Sequence, residues 1–245
     1  MRQTLLITLL CLLPTVTYAG PGDSNAESGN FDYYAFEQSW SPEYCHGNNK
    51  ARNSKQCRNI DGSWRSWNLT VHGLWPNYDR GNRKRPKGKL WPQYCKDSPA
   101  CPNGSACDLK RGGLPAGLVQ QYDRYTPSRK LQNHEWRKHG TCSGLSQAAY
   151  IRETLKTAAQ LPTADVISLA AGNSSGADYQ ALIKAYGGPQ QVGIRCRRKG
   201  GHQYLSAVFT CWKREADGKV GARMACPKAT LKSKKCKKDQ PVLVR

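Results

Sequence analysis

The nine residues from His134 to Cys142, HEWRKHGTC, carry side chains that could perform three kinds of chemistry. They could bind zinc, provide a thiol nucleophile beside a base, or form an acid–base centre for phosphate chemistry. A helical zinc motif needs histidines at positions i and i+4. His134 and His139 are five residues apart, which separates them by about 140° around a helix. No third ligand lies nearby in the sequence, so the zinc interpretation is weak.

The thiol interpretation depends on whether Cys142 is available as a nucleophile. The chain has 11 cysteines, and Cys11 falls within a predicted signal peptide, which leaves ten in the mature chain. An even number of cysteines in an exported protein predicts a disulfide framework of up to five bridges. No two cysteines have the CxxC spacing of a zinc ribbon, so metal binding is the weaker explanation of this count.

The acid–base interpretation fits the helical spacing better. His134 and Lys138 are four residues apart, as are Glu135 and His139, so all four side chains would share one face of a helix. Such a charged face can equally be a solvated surface. The histidine of TVHGLWP, His72, provides a further acid–base group at the end of an apolar strand.

Two histidines are the groups that metal-free cleavage of RNA requires. One takes the proton of the 2′-hydroxyl, and the other protonates the leaving 5′-oxygen. The ordinary pKa of histidine, about 6.5, allows both protonation states near neutral pH. A lysine beside them, such as Lys138, can stabilise the negative charge that develops on the phosphoryl oxygens.

The first 19 residues, MRQTLLITLLCLLPTVTYA, have the features of a secretory signal peptide. Arg2 precedes an apolar stretch, and Thr17-Tyr18-Ala19 forms a small-x-small cleavage site. We therefore expect cleavage after Ala19 and a secreted or periplasmic protein. Residues 20–30, which are small and polar, are expected to form a flexible segment before a single domain over residues 31–245. No later apolar run approaches the ~18 residues that span a bilayer.

The charge of the chain indicates what kind of partner it meets. Lys and Arg number 38 against 17 Asp and Glu, which gives a net charge of +21. A basic exported protein of this kind is expected to bind polyanions, namely nucleic acid, anionic membrane or acidic polysaccharide. A membrane-active protein would need an amphipathic basic helix with a broad apolar face, and the sequence contains no such helix.

Hydrophobic periodicity predicts helices in the middle of the chain and strands on either side. The helical segments are 115–125, 131–140, 146–160 and 177–186. The strand-like segments are FDYYAFEQSW, WNLTVHGLW, QVGIRC, HQYLSAVFTCW and PVLVR. This order predicts an α+β fold, in which several helices pack on a central antiparallel β-sheet that is stapled by disulfides.

Two of the segments described above also resemble a known family. HGLWP at 72–76 and HEWRKHGTC at 134–142 are similar to the two active-site segments of the ribonuclease T2 family, which are exported endoribonucleases of bacteria, fungi, plants and animals. The resemblance extends from FEQSWSPEYC to CPKATLKSKKC and is thin over residues 97–130 and 160–190.

The resemblance implies a role for each polar residue of the two segments. His139 would be the general base of transphosphorylation and His72 the general acid, in an order that the sequence does not fix. His134 would bind the phosphate, while Glu135 and Lys138 would polarise it and stabilise the pentacoordinate state. The implied product is a 2′,3′-cyclic phosphate, which is hydrolysed to a 3′-phosphate. No metal and no other cofactor is implied.

The resemblance also implies sites for the bases of RNA. Trp75 of HGLWP and Trp91 of LWPQYC would stack on bases, although ordinary core packing explains either tryptophan equally well. Stacking tolerates every base, so we expect low base specificity. Asn77 stands where family members often carry Asp, and because an amide both donates and accepts hydrogen bonds, a purine preference is in doubt.

The family pattern further implies how the cysteines pair. The implied pairs are Cys45–Cys57, Cys95–Cys142, Cys196–Cys236 and Cys211–Cys226, which leaves Cys101 and Cys107 to pair with each other. The basic segment 79–89 could grip RNA phosphates or be a mobile loop. We expect a monomeric endoribonuclease that acts on RNA without an obligatory metal. The rival hypothesis is a secreted basic protein that binds RNA or another polyanion and has lost catalysis.

Overall fold

The structure is a computed structural model of the chain. It describes residues 22–47, 51–79, 81, 85–101, 107–162, 176–232 and 236–245. The predicted signal peptide, residues 1–19, lies outside the described residues, as does part of the basic segment 79–89.

The centre of the fold is a six-stranded sheet in which β6 is the longest strand. Its main order is β3-β2-β6-β5, and β7 and β8 also pair with β6. All of these pairs are antiparallel except that between β6 and β8. A parallel pair, β1 with β4, lies outside this sheet. The strands are β1 (Gly22–Asp23), β2 (Tyr33–Ser39), β3 (Thr70–Asn77), β4 (Trp91–Pro92), β5 (Val192–Lys199), β6 (His202–Arg214), β7 (Val220–Met224) and β8 (Val242–Leu243).

The helices confirm the predicted α+β class. The four predicted helical segments correspond to α3 to α6, and three short helices that the periodicity did not indicate are α1, α2 and α7. The helices are α1 (Ser41–Gly47), α2 (Trp64–Trp67), α3 (Ala116–Tyr125), α4 (Arg129–Lys138), α5 (Gln147–Ala159), α6 (Tyr179–Ala185) and α7 (Lys228–Lys232). In the described part of the chain, no helix is both long and apolar enough to cross a membrane.

Helix α4 begins and ends earlier than predicted. Ser128 caps its N-terminus, because the Ser128 hydroxyl accepts a hydrogen bond from the Leu131 amide. At the other end His139 has φ −119° and ψ −45° and lies beyond the last helical residue. A 3₁₀ turn, Gly140–Cys142, follows and is tied by the Cys95–Cys142 disulfide. His139 therefore sits at the helix cap, where its amide still donates a helical hydrogen bond of 2.9 Å to the carbonyl oxygen of Glu135.

One face of the sheet packs against helices α3, α4 and α5 to form the main hydrophobic core. Fully buried aromatic residues fill it, including Tyr34 and Phe36 of β2, Trp136 of α4 and Tyr150 of α5. The buried Tyr150 hydroxyl donates a hydrogen bond of 2.7 Å to the carbonyl oxygen of Leu74. Helix α5 is thus fixed against β3 by a hydrogen bond as well as by packing.

A β-bulge in β3 determines where His72 points. Val71 and Leu74 both belong to the main core, although residues three apart on a regular strand point to opposite faces. The pairing of β3 with β2 skips one residue, because Glu37 faces Gly73 whereas Gln38 faces Val71. His72 is the extra residue of this bulge, and bulges redirect side chains. The segment from His72 onward thereby presents its polar and aromatic side chains on the face opposite the core.

Four disulfides staple the described residues, and they are the four pairs that the family resemblance implied. They are Cys45–Cys57, Cys95–Cys142, Cys196–Cys236 and Cys211–Cys226. The expectation of a Cys101–Cys107 bridge was wrong, because no disulfide joins these two cysteines among the described residues. The Cys107 thiol lies instead 3.6 Å from the carbonyl oxygen of Ala100.

The N-terminal segment makes contacts that composition alone did not indicate. Strand β1 pairs with β4, and the Ser28 amide donates to the Asp97 carboxylate at 2.9 Å. The Ser28 hydroxyl donates to the carbonyl oxygen of Thr141 at 2.7 Å. Residues 22–30 therefore lie against the domain, where the sequence predicted a flexible segment over 20–30.

Candidate active site

All eight residues predicted to act on or bind the substrate line one cavity of about 280 Å³. The cavity lies on the sheet face opposite the main core, between β3 and the C-terminal end of α4. Two residues that the sequence analysis did not select, Glu37 and Arg195, complete its wall. The predicted residues in it are His72, Trp75, Asn77, Trp91, His134, Glu135, Lys138 and His139.

Glu135 is the buried polar group at the floor of the cavity, with only 2% of its surface exposed. The Trp75 indole N–H donates to Glu135 Oε2 at 2.6 Å, and His72 Nε2 lies 3.6 Å from Glu135 Oε1. Burial raises the pKa of Glu135 to about 7, against the opposing influence of His72 and the Trp75 hydrogen bond. At neutral pH this carboxyl group therefore exists in both its protonated and its ionised form.

His72 lies between two acidic side chains. Its Nε2 faces Glu135, while its Nδ1 lies 3.2 Å from Ser39 Oγ and 3.6 Å from Glu37 Oε1. Desolvation lowers the pKa of His72, and Arg195 acts in the same direction. The Glu135 carboxylate opposes this effect by favouring the charged imidazolium.

His139 is in a drier and more positive environment than His72. It is 5% exposed, and its ring lies 5.3 Å from that of Trp75 at an interplanar angle of 31°. Burial lowers the pKa of His139 well below its ordinary value, and the charge on Lys138 lowers it further. His139 is therefore held in the neutral form, which is the form that accepts a proton.

His134 and Lys138 form the more accessible side of the cavity. His134 is exposed on α4, and desolvation together with the Lys138 charge lowers its pKa. The Lys138 carbonyl oxygen accepts a hydrogen bond of 2.9 Å from the Tyr94 amide, and Cys95 is bonded to Cys142. This connection holds the Trp91 loop against the end of α4.

A second cavity, of about 250 Å³, adjoins the first and is lined by Trp75, Trp91 and Asn77. Phe209 of β6 closes it, with its ring centroid 6.3 Å from that of Trp75. Asn77 is 8% exposed, and its side-chain amide donates to the Trp75 carbonyl oxygen at 2.8 Å. Both tryptophans are partly buried at the cavity wall, so neither is a residue of the main core.

Glu37 and Arg195 are the site residues that sequence reasoning missed. Glu37 is 3% exposed and accepts a hydrogen bond of 3.3 Å from the Arg195 guanidinium, which also lies 4.5 Å from the Phe209 ring centroid. A glutamate at the centre of the apolar strand YYAFEQS was the available signal, because buried carboxylates need charged or hydrogen-bonding partners. Nothing in the local sequence around Arg195 places it beside Glu37.

Gly73 allows β3 to approach Glu135 closely. A Cβ atom at this position would overlap with Glu135 Oε2 and with the Trp75 indole nitrogen. We expect Gly73→Ala to lower the free energy of unfolding by about 1–3 kcal/mol, because overpacking displaces buried groups. Urea denaturation measures the change.

The matched control is Gly117→Ala in α3, where nothing lies within 4 Å of the added methyl group. Alanine is the better helix former, so this variant should be unchanged or more stable by about 0.5–1 kcal/mol. Equal unfolding midpoints for Gly73→Ala and the native chain would contradict the close approach.

Comparisons with known proteins show the family of the chain. The family model for the Ribonuclease T2 family matches residues 31–221. A ribonuclease of Aeromonas hydrophila is 30% identical over 222 residues, which cover 88% of this chain and 87% of that protein. Ribonuclease 1 of Arabidopsis thaliana is 26% identical over 88% of each chain.

Solved structures show the same fold. A self-incompatibility RNase of Nicotiana alata, SF11-RNase, aligns with a TM-score of 0.59 at 17% identity over 88% of this chain and 100% of its own. RNase NT in complex with 5′-AMP aligns with a TM-score of 0.57 at 22% identity over 81% of this chain and 91% of its own. The family match spans most of the chain and includes every residue of the first cavity. The chain therefore belongs to the ribonuclease T2 family and is an enzyme of that type.

Proposed function

We propose that the enzyme cleaves single-stranded RNA by transphosphorylation, giving a 2′,3′-cyclic phosphate and then a 3′-phosphate. The observation that carries this proposal is the cavity in which His72 and His139 lie with Lys138 and Glu135. Two imidazoles supply the acid and the base, and a cation stands where charge develops on the phosphoryl group. The first step uses only these side chains and the 2′-hydroxyl of the substrate, and the second step consumes one water molecule, which opens the cyclic phosphate.

The different surroundings of the two histidines support His139 as the base and His72 as the acid. The pKa of His139 is lowered well below its ordinary value by burial and by Lys138, so His139 is ready to take the 2′-hydroxyl proton. His72 faces two carboxylates, and Glu135 favours its charged form. A protonated His72 is the group that can donate a proton to the leaving 5′-oxygen.

The remaining polar residues act on the charge of the transition state. Lys138 and His134 lie on the accessible side of the cavity, where the phosphate enters. The raised pKa of Glu135, about 7, lets its carboxyl group donate a hydrogen bond to a phosphoryl oxygen when protonated. Such donors are most effective in a dry site, where the local dielectric is low.

The cavity between Trp75 and Trp91 supports low base specificity. Two aromatic walls suit stacking on any base, because every base has a π-face. Asn77 lies at the wall with one of its amide N–H groups committed to the Trp75 carbonyl oxygen. We propose that this cavity takes a base next to the cleaved bond.

One experiment separates catalysis from RNA binding without cleavage. Purified enzyme is incubated with a single-stranded RNA and with DNA of the same sequence, each with and without excess EDTA, and the 3′ ends are identified. We expect the RNA to be cut and the DNA to remain intact. The first products should carry 2′,3′-cyclic phosphate ends, and cleavage should be equally fast with and without EDTA. Intact RNA, equal cutting of DNA, or inhibition by EDTA would each contradict the proposal.

The pKa shifts of the two histidines predict an acidic pH optimum. The base, His139, stays neutral into the acidic range because its pKa is lowered well below about 6.5, the ordinary value. The acid, His72, must be protonated, and its pKa is also lowered. Activity should therefore be maximal below pH ~6.5 and fall about tenfold per pH unit on the alkaline side. The measurement is kcat/KM against pH on a dinucleoside monophosphate, and an optimum at pH 7 or above would contradict it.

The family and the disulfides indicate an extracellular or periplasmic protein. We propose that residues 1–19 direct this export and that cleavage follows Ala19. The mature enzyme is then a monomer with a single domain over residues 31–245, preceded by the short N-terminal segment 20–30. Mass spectrometry of the exported protein tests the cleavage position, and sedimentation tests the oligomeric state.

A further inference from the structure

A cavity of about 830 Å³ opens directly from the active site. We name it the β5 basin, and it shares Glu37, His72 and Arg195 with the catalytic cavity. An occupant of the basin would therefore be continuous with the group that contacts His72. Its further wall is formed by Arg197 and Arg198 of β5, Glu43 and Tyr44 of α1, and Ser206 of β6.

The direction of β5 explains why Arg195 and Arg197 both line this basin. Arg195 and Arg197 are two residues apart, so they project from the same face of the strand. Cys196 between them belongs to the main core on the other face and is bonded to Cys236. Arg198 follows at the exposed end of the strand and also lines the basin.

The basin is positively charged although it contains two carboxylates. Glu37 is paired with Arg195, and Glu43 is paired with Arg245 at 2.6 Å and with Arg197 at 3.7 Å. Both glutamates are at most 3% exposed, so the arginines rather than the carboxylates face the solvent.

The Arg197 and Arg198 guanidinium groups are the parts of the wall that a ligand would meet. The Arg197 side chain is 41% exposed, and its guanidinium lies close to the backbone of Gly47. The Arg198 side chain makes no ion pair within the described ranges. Guanidinium groups with unused N–H donors bind phosphates in bidentate fashion.

We infer that the β5 basin binds phosphates of the RNA strand beyond the nucleotides flanking the cleaved bond. An occupant that matches the basin is anionic, is large enough to fill about 830 Å³, and is connected to the group at His72. An RNA chain meets all three requirements, whereas a single mononucleotide leaves most of 830 Å³ unfilled. The inference rests on the proposed function, because it assumes that RNA occupies the catalytic cavity.

The test compares a dinucleoside monophosphate with a 12-nucleotide single-stranded RNA of one cleavable site. The enzyme variants are the native chain, Arg198→Ala, and Arg197→Ala combined with Arg198→Ala. For the double variant we expect the ratio of kcat/KM on the long substrate to kcat/KM on the short one to fall about tenfold. The slope of log(kcat/KM) against log[salt] on the long substrate should flatten by roughly 0.7 for each phosphate that the variant no longer neutralises.

The control is Arg152→Ala, which removes the same charge from an exposed position of α5. It should leave both the substrate ratio and the salt slope unchanged. Because Arg197 lies near the buried Glu43, its replacement could lower stability, and thermal unfolding of each variant is therefore measured. Arg198→Ala alone avoids this effect, because Arg198 makes no ion pair in the described part of the chain.

The outcomes distinguish the two hypotheses. If the native chain cuts neither substrate, the proposed function is wrong. If it cuts both, but the β5 variants have the native substrate ratio and salt slope, the β5 basin does not bind RNA and the proposed function stands. An equal loss of activity on both substrates would also overturn the inference, because it would indicate a disturbed active site rather than weaker binding of the distant phosphates.

Discussion

Replacing His72 or His139 with phenylalanine is expected to lower kcat/KM for RNA cleavage by about a thousandfold or more, since each acid or base group contributes roughly 10²–10⁴-fold. Phenylalanine keeps the planar ring, so it can pack beside Trp75 as the imidazoles do. RNA binding, measured by fluorescence anisotropy, should change little, because Lys138, His134 and the tryptophans remain in place. The comparison thus isolates proton transfer.

His202→Phe is the matched control, because His202 is exposed at the first position of β6 and lies outside every cavity described above. It should keep native activity. Comparable residual activity in the His72, His139 and His202 variants would contradict the mechanism with paired histidines.

A substrate with an activated leaving group distinguishes the acid from the base. The nitrophenyl ester of a 3′-nucleotide releases nitrophenolate, which needs no proton from the enzyme. Activity of His72→Phe should therefore approach that of the native chain on this ester, while His139→Phe should remain inactive. The opposite pattern would reverse the two roles. It would leave the paired-histidine mechanism intact.

Much of this site could be predicted because its chemistry lies in two short segments. HGLWP and HEWRKHGTC carry five polar residues whose types suit acid–base chemistry, and all five line one cavity. The periodic helices α3 to α6 could also be predicted, since apolar residues recur on their buried faces. Short elements such as α1 and β7 have too few residues for a periodic signal.

The features that could not be predicted depend on tertiary pairing. The bulge that turns His72 away from the core arises because β3 skips a residue opposite Glu37 and Gln38, and this register exists only in the sheet. The contact of Arg195 with Glu37 joins residues 158 positions apart in the chain. The expected bond between Cys101 and Cys107, the pair that remained after the four implied ones, was wrong, because no local rule determines which cysteines meet.

Glu135 joins the stability of the fold to its function. A carboxyl group that is 2% exposed and only partly compensated by Trp75 and His72 keeps its proton to a pH of about 7. In the unfolded chain the same carboxyl group has a pKa of ~4.3. Between these values the folded state binds more protons than the unfolded state, so the stability of the native chain falls as pH rises through this window. Burial of Glu135 is thus unfavourable for folding at neutral pH.

Glu135→Gln is therefore expected to change stability and activity in opposite directions. The amide can still accept a hydrogen bond from the Trp75 indole, and it has no charge to desolvate. Near pH ~4 the variant and the native chain should be equally stable, and above pH ~7 the variant should be more stable by up to about 4 kcal/mol. At pH ~7, kcat/KM should fall by about a hundredfold, because a group aimed at the phosphoryl oxygens is removed. Urea denaturation at several pH values and steady-state kinetics provide the two measurements.

The pH profile of Glu135→Gln shows whether Glu135 also acts through His72. The ionised fraction of Glu135, which grows as the pH approaches about 7, raises the pKa of His72 against desolvation, so its removal should shift the alkaline limb of kcat/KM to lower pH. Glu27→Gln, which changes an exposed carboxylate of the N-terminal segment in the same way, should leave both the stability curve and the limb unchanged. If the alkaline limb of Glu135→Gln lies at the same pH as that of the native chain, Glu135 does not act through His72 and acts only by contacting the phosphate. Unchanged stability above pH 7 would contradict the raised pKa from which the whole prediction follows.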